Sequence, residues 1–249
     1  MRVVILGSGT GVPVPHRGYA GIYVRIANEH LLLDAGPGTL RQLSHLRVNY
    51  LDLDRIFITH FHPDHCLDLV SILFAMRIPQ PARTKPLVIY GPPGIKRLYQ
   101  QLNAAFKNWI QPKTYRLTFR ELRATSLRLP GYTLRTKLMN HSPGALGYRL
   151  EAGGRSVAYS GDTDYGRGIV ELGRRADLLI LECSLTDERK TSGHLTPTEC
   201  GRIAAEAGCR HLVLTHFYPV FRGYDIRARV RRHFDNRLTL AHDFLTIRV

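Results

Sequence analysis

Acidic side chains are scarce in this chain of 249 residues: 20 Asp and Glu stand against 35 Lys and Arg, a formal charge of +15. A balance of that sign favours polyanions, anionic lipid or phosphorylated substrates as partners and says nothing about fold. Long hydrophobic runs are missing too. Stretches such as Leu178–Leu181 cover only a few residues, far short of the roughly 20 that cross a bilayer, so no membrane partner is expected. The opening MRVVILGSGTGVP breaks its apolar run at Gly7. It has neither the longer apolar core nor the cleavage site of a secretory leader, so it reads as a first β-strand and the chain as cytoplasmic. Cysteine is limited to Cys66, Cys183, Cys200 and Cys209, with no C-x-x-C spacing. That excludes a disulfide framework and leaves reduced thiols packed as small hydrophobes. Apolar residues still make up 44% of the chain, which excludes wholesale disorder.

What is present is a strand-and-helix alternation punctuated by Gly and Pro, with no repeat, low-complexity tract or linker, which predicts one α/β domain over residues 1–249. Strands are expected at Arg2–Leu6, Ala20–Ile26, His30–Asp34, Arg55–Thr59, Leu87–Tyr90, Ser156–Ser160, Leu178–Glu182, His211–Thr215, Leu238–Leu240 and Phe244–Val249. Helices are expected after Gly38 and over Pro63–Met76, Ile95–Phe106, Ile169–Arg174, Thr196–Ala207 and Asp225–Phe234. Gly7-Ser-Gly9-Thr-Gly11 invites comparison with a dinucleotide loop. Position 12 is Val, and Pro13 and Pro15 stand where a helix would begin, so a tight turn between strands is the better reading.

The densest signal is Thr59-His60-Phe61-His62-Pro63-Asp64-His65. Imidazole and carboxylate are ligands that zinc favours, and a segment this short can feed two adjacent ions. Pro63 suits the first turn of a helix, so His60 and His62 fall in a loop and Asp64 and His65 in the turn after it. A polar loop with chance histidines would explain one such residue, not four. Other ligand types close apolar runs elsewhere: His141 after Leu134–Asn140, Asp162 after Ser156–Ser160, His216 after His211–Thr215. Open α/β sheets place their binding crevices at these strand ends. The candidates divide into His60, His62 and His141 for one ion and Asp64, His65 and His216 for a second, with Asp162 left to bridge. Two divalent ions about 3.5–4 Å apart form a clamp for hydrolytic displacement. Zn2+ is the expected ion, and the ligand set also accepts Mn2+ or Fe2+.

On these motifs the chain resembles the metallo-β-lactamase-fold hydrolases, with His60, His62, Asp64 and His65 matching the family's H-x-H-x-D-H signature and His141, Asp162 and His216 its later metal positions. The resemblance runs over essentially the whole chain and implies a four-layer αβ/βα sandwich. It also implies that Asp34 supports the metal loop without being a ligand. The segment Ser192-Gly193-His194-Leu195-Thr196 resembles the H-x-T loop of the ribonuclease Z branch, in which a His outside the ligand set assists cleavage. By that resemblance Asp64, His194 and Glu182 are the catalytic groups. A hydroxide between the two ions attacks phosphorus, Asp64 orients it, His194 serves as general acid, and Glu182 holds the His194 ring. Thr196 and Glu199 also fit a helix-capping pair. The chain departs from the branch in one respect: His141 and Asp162 are 21 residues apart, which leaves no room for the long tRNA-binding arm.

A possible substitute for the arm lies between Arg83 and Lys137, where twelve Lys and Arg face a single acid, Glu121. Aromatics are interleaved there, and basic groups with stacking rings suit single-stranded nucleic acid. Arg116, Arg120, Arg123 and Trp109 are the candidate substrate contacts. The expected activity is therefore a ribonuclease Z-like phosphodiesterase acting on a phosphodiester substrate, with RNA favoured. Small cyclic or linear phosphodiesters are the alternative. A lactam or thioester hydrolase would keep the metals without the H-x-T loop, and a non-enzymatic nucleic-acid-binding module would not need the metals. Relatives often pair, which leaves a homodimer open.

Overall fold

In the computed structural model, which describes residues 1–78 and 81–249, two seven-stranded sheets face each other. The first half of the chain runs β1 (Arg2–Gly7), β2 (Gly21–Ile26), β3 (Glu29–Leu33), α1 (Thr39–His45), β4 (Leu53–Phe57), α2 (Pro63–Cys66), α3 (Leu69–Arg77), β5 (Leu87–Gly91), α4 (Ile95–Ala105) and β6 (Leu117–Glu121). The second half runs β7 (Thr125–Leu129), β8 (Tyr132–Leu138), β9 (Leu146–Ala152), β10 (Arg155–Tyr159), α5 (Arg167–Gly173), β11 (Leu178–Glu182), α6 (Pro197–Ala207), β12 (His211–Thr215), α7 (Ile226–Arg231), β13 (Arg237–Leu240) and β14 (Thr246–Arg248). The sheet orders are β14-β1-β2-β3-β4-β5-β6 and β13-β12-β11-β10-β9-β8-β7. The last strand thus returns to the first sheet.

Alternate residues of each strand serve different layers, as the period of two requires. Val3 and Ile5 of β1 and Leu31 and Leu33 of β3 meet Tyr148, Leu150 and Ile180 between the sheets. Val4, Leu6, Leu32 and Ile56 turn outward onto Leu43, Ile72, Met76 and Ile95 of the helices. Leu179, Leu181, Leu212 and Leu214 do the same beneath Leu172, Cys200, Ile203 and Val230. Both faces of these strands are covered, which is why they read as continuous apolar runs rather than alternating ones. The expected αβ/βα sandwich is the observed architecture. No helix among the described residues is long and apolar enough to cross a membrane, and all four cysteines are free and buried.

Two expectations need correction. The helix expected over Pro63–Met76 is broken into α2 and α3. Asp68 sits at the break, where its backbone N–H donates to Ala35 O (2.9 Å) and its carboxylate accepts from Leu40 N (2.6 Å). These contacts come from the loop after β3 and the first turn of α1, roughly thirty residues earlier in the chain, so no local pattern could reveal them. Asp225–Phe234 shortens to Ile226–Arg231, with the Asp225 carboxylate accepting from Ala228 N (2.9 Å) as its cap. The Gly7–Gly11 segment opens no helix, as expected, but it is irregular and the tight turn falls further on, at Val14–Arg17. Gly9 N donates to Gly18 O (2.8 Å), and no helix follows until Thr39.

Tyr148, the largest fully buried side chain, crosses from β9 and donates its hydroxyl to Ile58 O of the opposite sheet at 2.6 Å. Phe can fill that space but leaves a buried carbonyl unpaired. Tyr148→Phe is therefore expected to lower stability by about 1–2 kcal/mol, read as a drop in the urea midpoint at unchanged slope.

Candidate metal centre

The ligand-type residues sit at strand ends of both sheets and converge. His60 and His62 follow β4, Asp64 and His65 lie in α2 with Pro63 opening its first turn, Asp162 follows β10 and His216 follows β12. One atom from each of His60, His62, His141 and Asp162 lies within 4.8 Å of the others, and the same holds for Asp64, His65 and His216. Asp162 faces both groups. Its Oδ2 stands 3.8 Å from His60 Nε2 and 3.8 Å from His141 Nε2, and its Oδ1 stands 3.3 Å from His65 Nε2 and 3.5 Å from His216 Nε2. His62 Nδ1 lies 3.1 Å from His141 Nε2, and His65 Nε2 the same distance from His216 Nε2. Ligands 2.0–2.1 Å from a tetrahedral ion lie roughly 3.3 Å from one another, so these spacings fit an ion in each group.

The polar atoms left over make the same case. His60 Nε2 and Asp162 Oδ1 are buried and have no hydrogen-bond partner among the described residues. Leaving such groups unpaired costs free energy, and metal coordination removes that cost. Two of the candidate ligands already hold the protonation state that suits a metal, whereas His65, despite its burial, is held protonated between Asp162 and Asp34 and would give up that proton to an ion. Burial and the neighbouring His65 charge push His60 down to about 2, which keeps it neutral. Burial works to raise Asp64, but the hydrogen bond from His216 and the His65 charge outweigh it and bring it to about 2. Neutral imidazole and ionised carboxylate are the states that bind metal.

Behind the ligands, a set of acceptors fixes which ring nitrogen faces inward. Asp34, at 0% exposure, accepts from His65 Nδ1 (2.8 Å), Thr59 N (2.8 Å), Thr59 Oγ1 (2.9 Å) and Tyr159 OH (2.9 Å). It supports the metal loop, as the resemblance implied. His141 Nδ1 donates to Gly193 O (2.8 Å), and His216 Nδ1 to Ser184 Oγ (3.0 Å). Two glycines make the approach possible. A Cβ on Gly36 would lie 2.1 Å from Asp64 O, and one on Gly161, at φ +60°, would lie 2.7 Å from Thr59 Cβ. Asp34 and His216 themselves hold positive φ, 58° and 62°, a strain that side chains other than Gly rarely adopt away from functional sites.

His194 stands beside both groups. Its Nδ1 lies 3.1 Å from Glu182 Oε1 and 4.0 Å from Asp162 Oδ2. Glu182 also accepts from Thr163 N (2.8 Å), Leu195 N (3.2 Å) and the Ser184 hydroxyl. Burial works against charge on His194, but the hydrogen bond to Glu182 outweighs it and lifts the ring to about 9. The loop carrying it is clamped from outside: Lys190 pairs with Asp164 (2.5 Å) and Glu199 (2.8 Å), and Asp164 accepts from Gly193 N (3.0 Å). Thr196 and Glu199 form the expected capping box on α6.

An open cleft of about 960 Å3 borders the first ligand group, between Met139–Gly144, Asp164–Tyr165 and Ser192–Gly193. The sequence-derived substrate contacts do not line it. Trp109, 56% exposed, meets Phe74 edge-on and lies under the Arg77 guanidinium on the helical side, while Arg116 and Arg123 flank opposite ends of β6 and Arg120 is exposed along it. Nor is the segment from Arg83 to Lys137 one free cationic surface. Arg83 is buried and donates to Leu53 O (2.7 Å) and Pro86 O (2.9 Å), while Lys85, Arg135 and Lys137 pair with Asp54, Glu151 and Glu171. Sequence reasoning missed Ser184, Tyr159, Asp164 and Lys190. Ser184, Asp164 and Lys190 each lie two residues from a quoted position (Glu182, Asp162 and Ser192), but nothing in their spacing showed the contacts they make.

Residues 29–217 match the family described as Beta-lactamase superfamily domain. The chain belongs to the metallo-β-lactamase superfamily. A ribonuclease Z of Streptomyces avermitilis is 30% identical over 298 aligned positions, taking in 100% of this chain and 97% of that one. The alignment is longer than the 249 residues here, so that relative holds about fifty residues that this chain lacks. Between His141 and Asp162 the superfamily fold here carries only β9, the turn at Gly153-Gly154 and β10. Among solved structures, the short form of human tRNase Z (ELAC1) superposes with a TM-score of 0.82 at 27% identity, covering 100% of this chain and 99% of that one. The metallo-beta-lactamase fold protein YhfI from Bacillus subtilis reaches 0.84 at 25%, covering 99% and 98%.

Losing the Asp34 carboxylate charge frees the His65 ring and weakens the second ligand group. Asp34→Asn is expected to lower metal affinity by about 10–100-fold, measured by chelator competition, with the apo protein still folded by circular dichroism.

Proposed function

We propose that the chain is a dinuclear-metal phosphodiesterase that cuts RNA. The observation that carries the chemistry is His194, which Glu182 holds beside both ligand groups and which also clusters with Asp162 and His216 within 4.8 Å. A lactam or thioester hydrolase of this fold has no use for that loop, and a nucleic-acid-binding module has no use for seven convergent metal ligands. RNA is supported by the formal charge of +15 and by full-length kinship with proteins named ribonuclease Z. His60, His62 and His141 would hold one ion and Asp64, His65 and His216 the other, with Asp162 between them. Zinc fits the donor set first, and Mn2+ or Fe2+ also fit. When bound, the ions supply positive charge against the phosphoryl oxygens and acidify water near neutral pH.

The chain's own groups do the rest. Asp64 Oδ2, 3.5 Å from His216 Nε2 at the inner edge of the site, accepts a hydrogen bond from the attacking water and aims it. Glu182 takes the Nδ1–H of His194 and so presents Nε2 as the proton donor to the leaving oxygen, a contribution worth about 10²–10⁴-fold. The second reading is a small cyclic or linear phosphodiester. It is favoured by the cleft wall, which carries no Lys or Arg, and by the absent arm.

The test offers a 3′-extended precursor tRNA and bis(p-nitrophenyl) phosphate, with His62→Ala as a metal-site control. Metal-dependent cutting at one site near the tRNA 3′ end is the expected result. Turnover of the ester alone moves the substrate to small phosphodiesters, and silence on both rejects the phosphodiesterase. His194→Ala is expected to lower kcat by 10²–10⁴-fold while elemental analysis still finds two ions per chain. Loss of an ion in that variant would make His194 a ligand instead.

A further inference from the structure

The open cleft borders the His62 and His141 side of the centre. A second cavity, of about 380 Å3, begins at Tyr218, whose ring stands 6.1 Å from His216 and 6.2 Å from His194. Its walls are Val14, Phe217, Tyr218, Phe221, Ile226 and Leu240. Two loops build it, and both also reach the metal centre. Phe217 and Tyr218 directly follow the ligand His216. Val14 belongs to the glycine-rich segment, in which a Cβ on Gly11 would lie 3.5 Å from Asp64 Oδ2. The segment that fails as a dinucleotide loop therefore joins a metal ligand to this cavity.

One face of Phe217 is already taken. The Arg17 guanidinium lies 4.7 Å above that ring and is pinned by Ser8 Oγ (2.6 Å) and Ala241 O (2.8 Å). Phe221 forms T-shaped pairs with Phe217, at 5.7 Å and 89°, and with Tyr224, at 5.8 Å and 63°, yet stays half-buried, so part of its ring remains open to the cavity. Exposed His16 and Arg222 border the same cavity. An apolar, aromatic chamber with cations beside it matches a flat heteroaromatic ring attached to phosphate. Its volume lies in the range of small-molecule sites and is too small for a folded stem.

We infer that this cavity receives the nucleobase of the nucleoside whose oxygen leaves on cleavage, stacked on Phe221 and Tyr218. The inference rests on the phosphodiesterase reading. The leaving side is assigned because Tyr218 is shared between the cavity and His194, the group that protonates the leaving oxygen. Stacking of this kind accepts any base, and its loss costs roughly 5–100-fold.

The experiment compares the dinucleotide ApA with versions made abasic at one nucleoside or the other, on the metal-loaded enzyme. Removing the base of the leaving nucleoside is expected to lower kcat/KM by about 5–100-fold, and Phe221→Ala to lower it by a similar factor on ApA. The two losses are expected not to multiply. Phe221→Leu, which keeps packing volume without an aromatic face, serves if the Ala variant fails to fold. Losses that multiply in full, or dependence on the other base alone, overturn the assignment. Binding of adenosine monophosphate, followed by saturation-transfer NMR, separates the two readings. If no dinucleotide is cut but Phe221→Leu abolishes nucleotide binding, the cavity stands and the hydrolase reading falls. Nucleotide binding untouched by Phe221→Leu overturns the cavity.

Discussion

The Asp34 carboxylate lies at 0% exposure in a left-handed turn and accepts from Thr59, His65 and Tyr159 at once. Its partners come from β4's extension, from α2 and from β10 of the other sheet, so one buried group sets how the two halves meet. A charge removed from water this completely is tolerable only when its acceptor positions are filled. Filling them orients the His65 ring, and Thr59 in turn contacts His60 Nδ1 at 3.0 Å. The positions of His60 and His65, one in each ligand group, follow from that constraint.

The same economy of contacts governs the acid loop. Glu182 ends a central strand of the second sheet and bonds both His194 and Ser184, which passes the contact on to His216. The group that would move the proton and a group that would hold an ion are therefore positioned by one carboxylate. Gly193 closes the circuit by accepting from His141. A shift of the H-x-T loop would be felt at both ends of the centre, and the Lys190–Asp164 clamp resists that shift.

Much of this was legible in the chain itself. Strand ends, Pro63 at the first turn of α2, the capping pair Thr196 and Glu199 and the seven candidate ligands that the fold brings together follow from local pattern, because hydrophobic period and capping chemistry act over a few residues. The break at Asp68 was not legible, since its partners are Leu40 and Ala35. The Arg83–Lys137 segment misled for a related reason. Counting charges along the chain cannot show that Arg83 turns inward to backbone carbonyls, or that Lys85, Arg135 and Lys137 find acids far off in sequence.

The sequence by itself determined the α/β alternation and, through its resemblance to the metallo-β-lactamase fold, the sandwich, and it named the candidate ligands, because these are written in residue type at short spacing. The tertiary structure alone decided two further things: that Tyr159 backs Asp34 and Ser184 backs the His216 ring, and that aromatic and cationic residues from positions 14–17 and 217–226 help close one cavity beside the centre. The physical reason is the same in each case. These contacts join strand ends and loops of opposite sheets, and the distance between such groups is set by how the sheets pack, which no local spacing encodes.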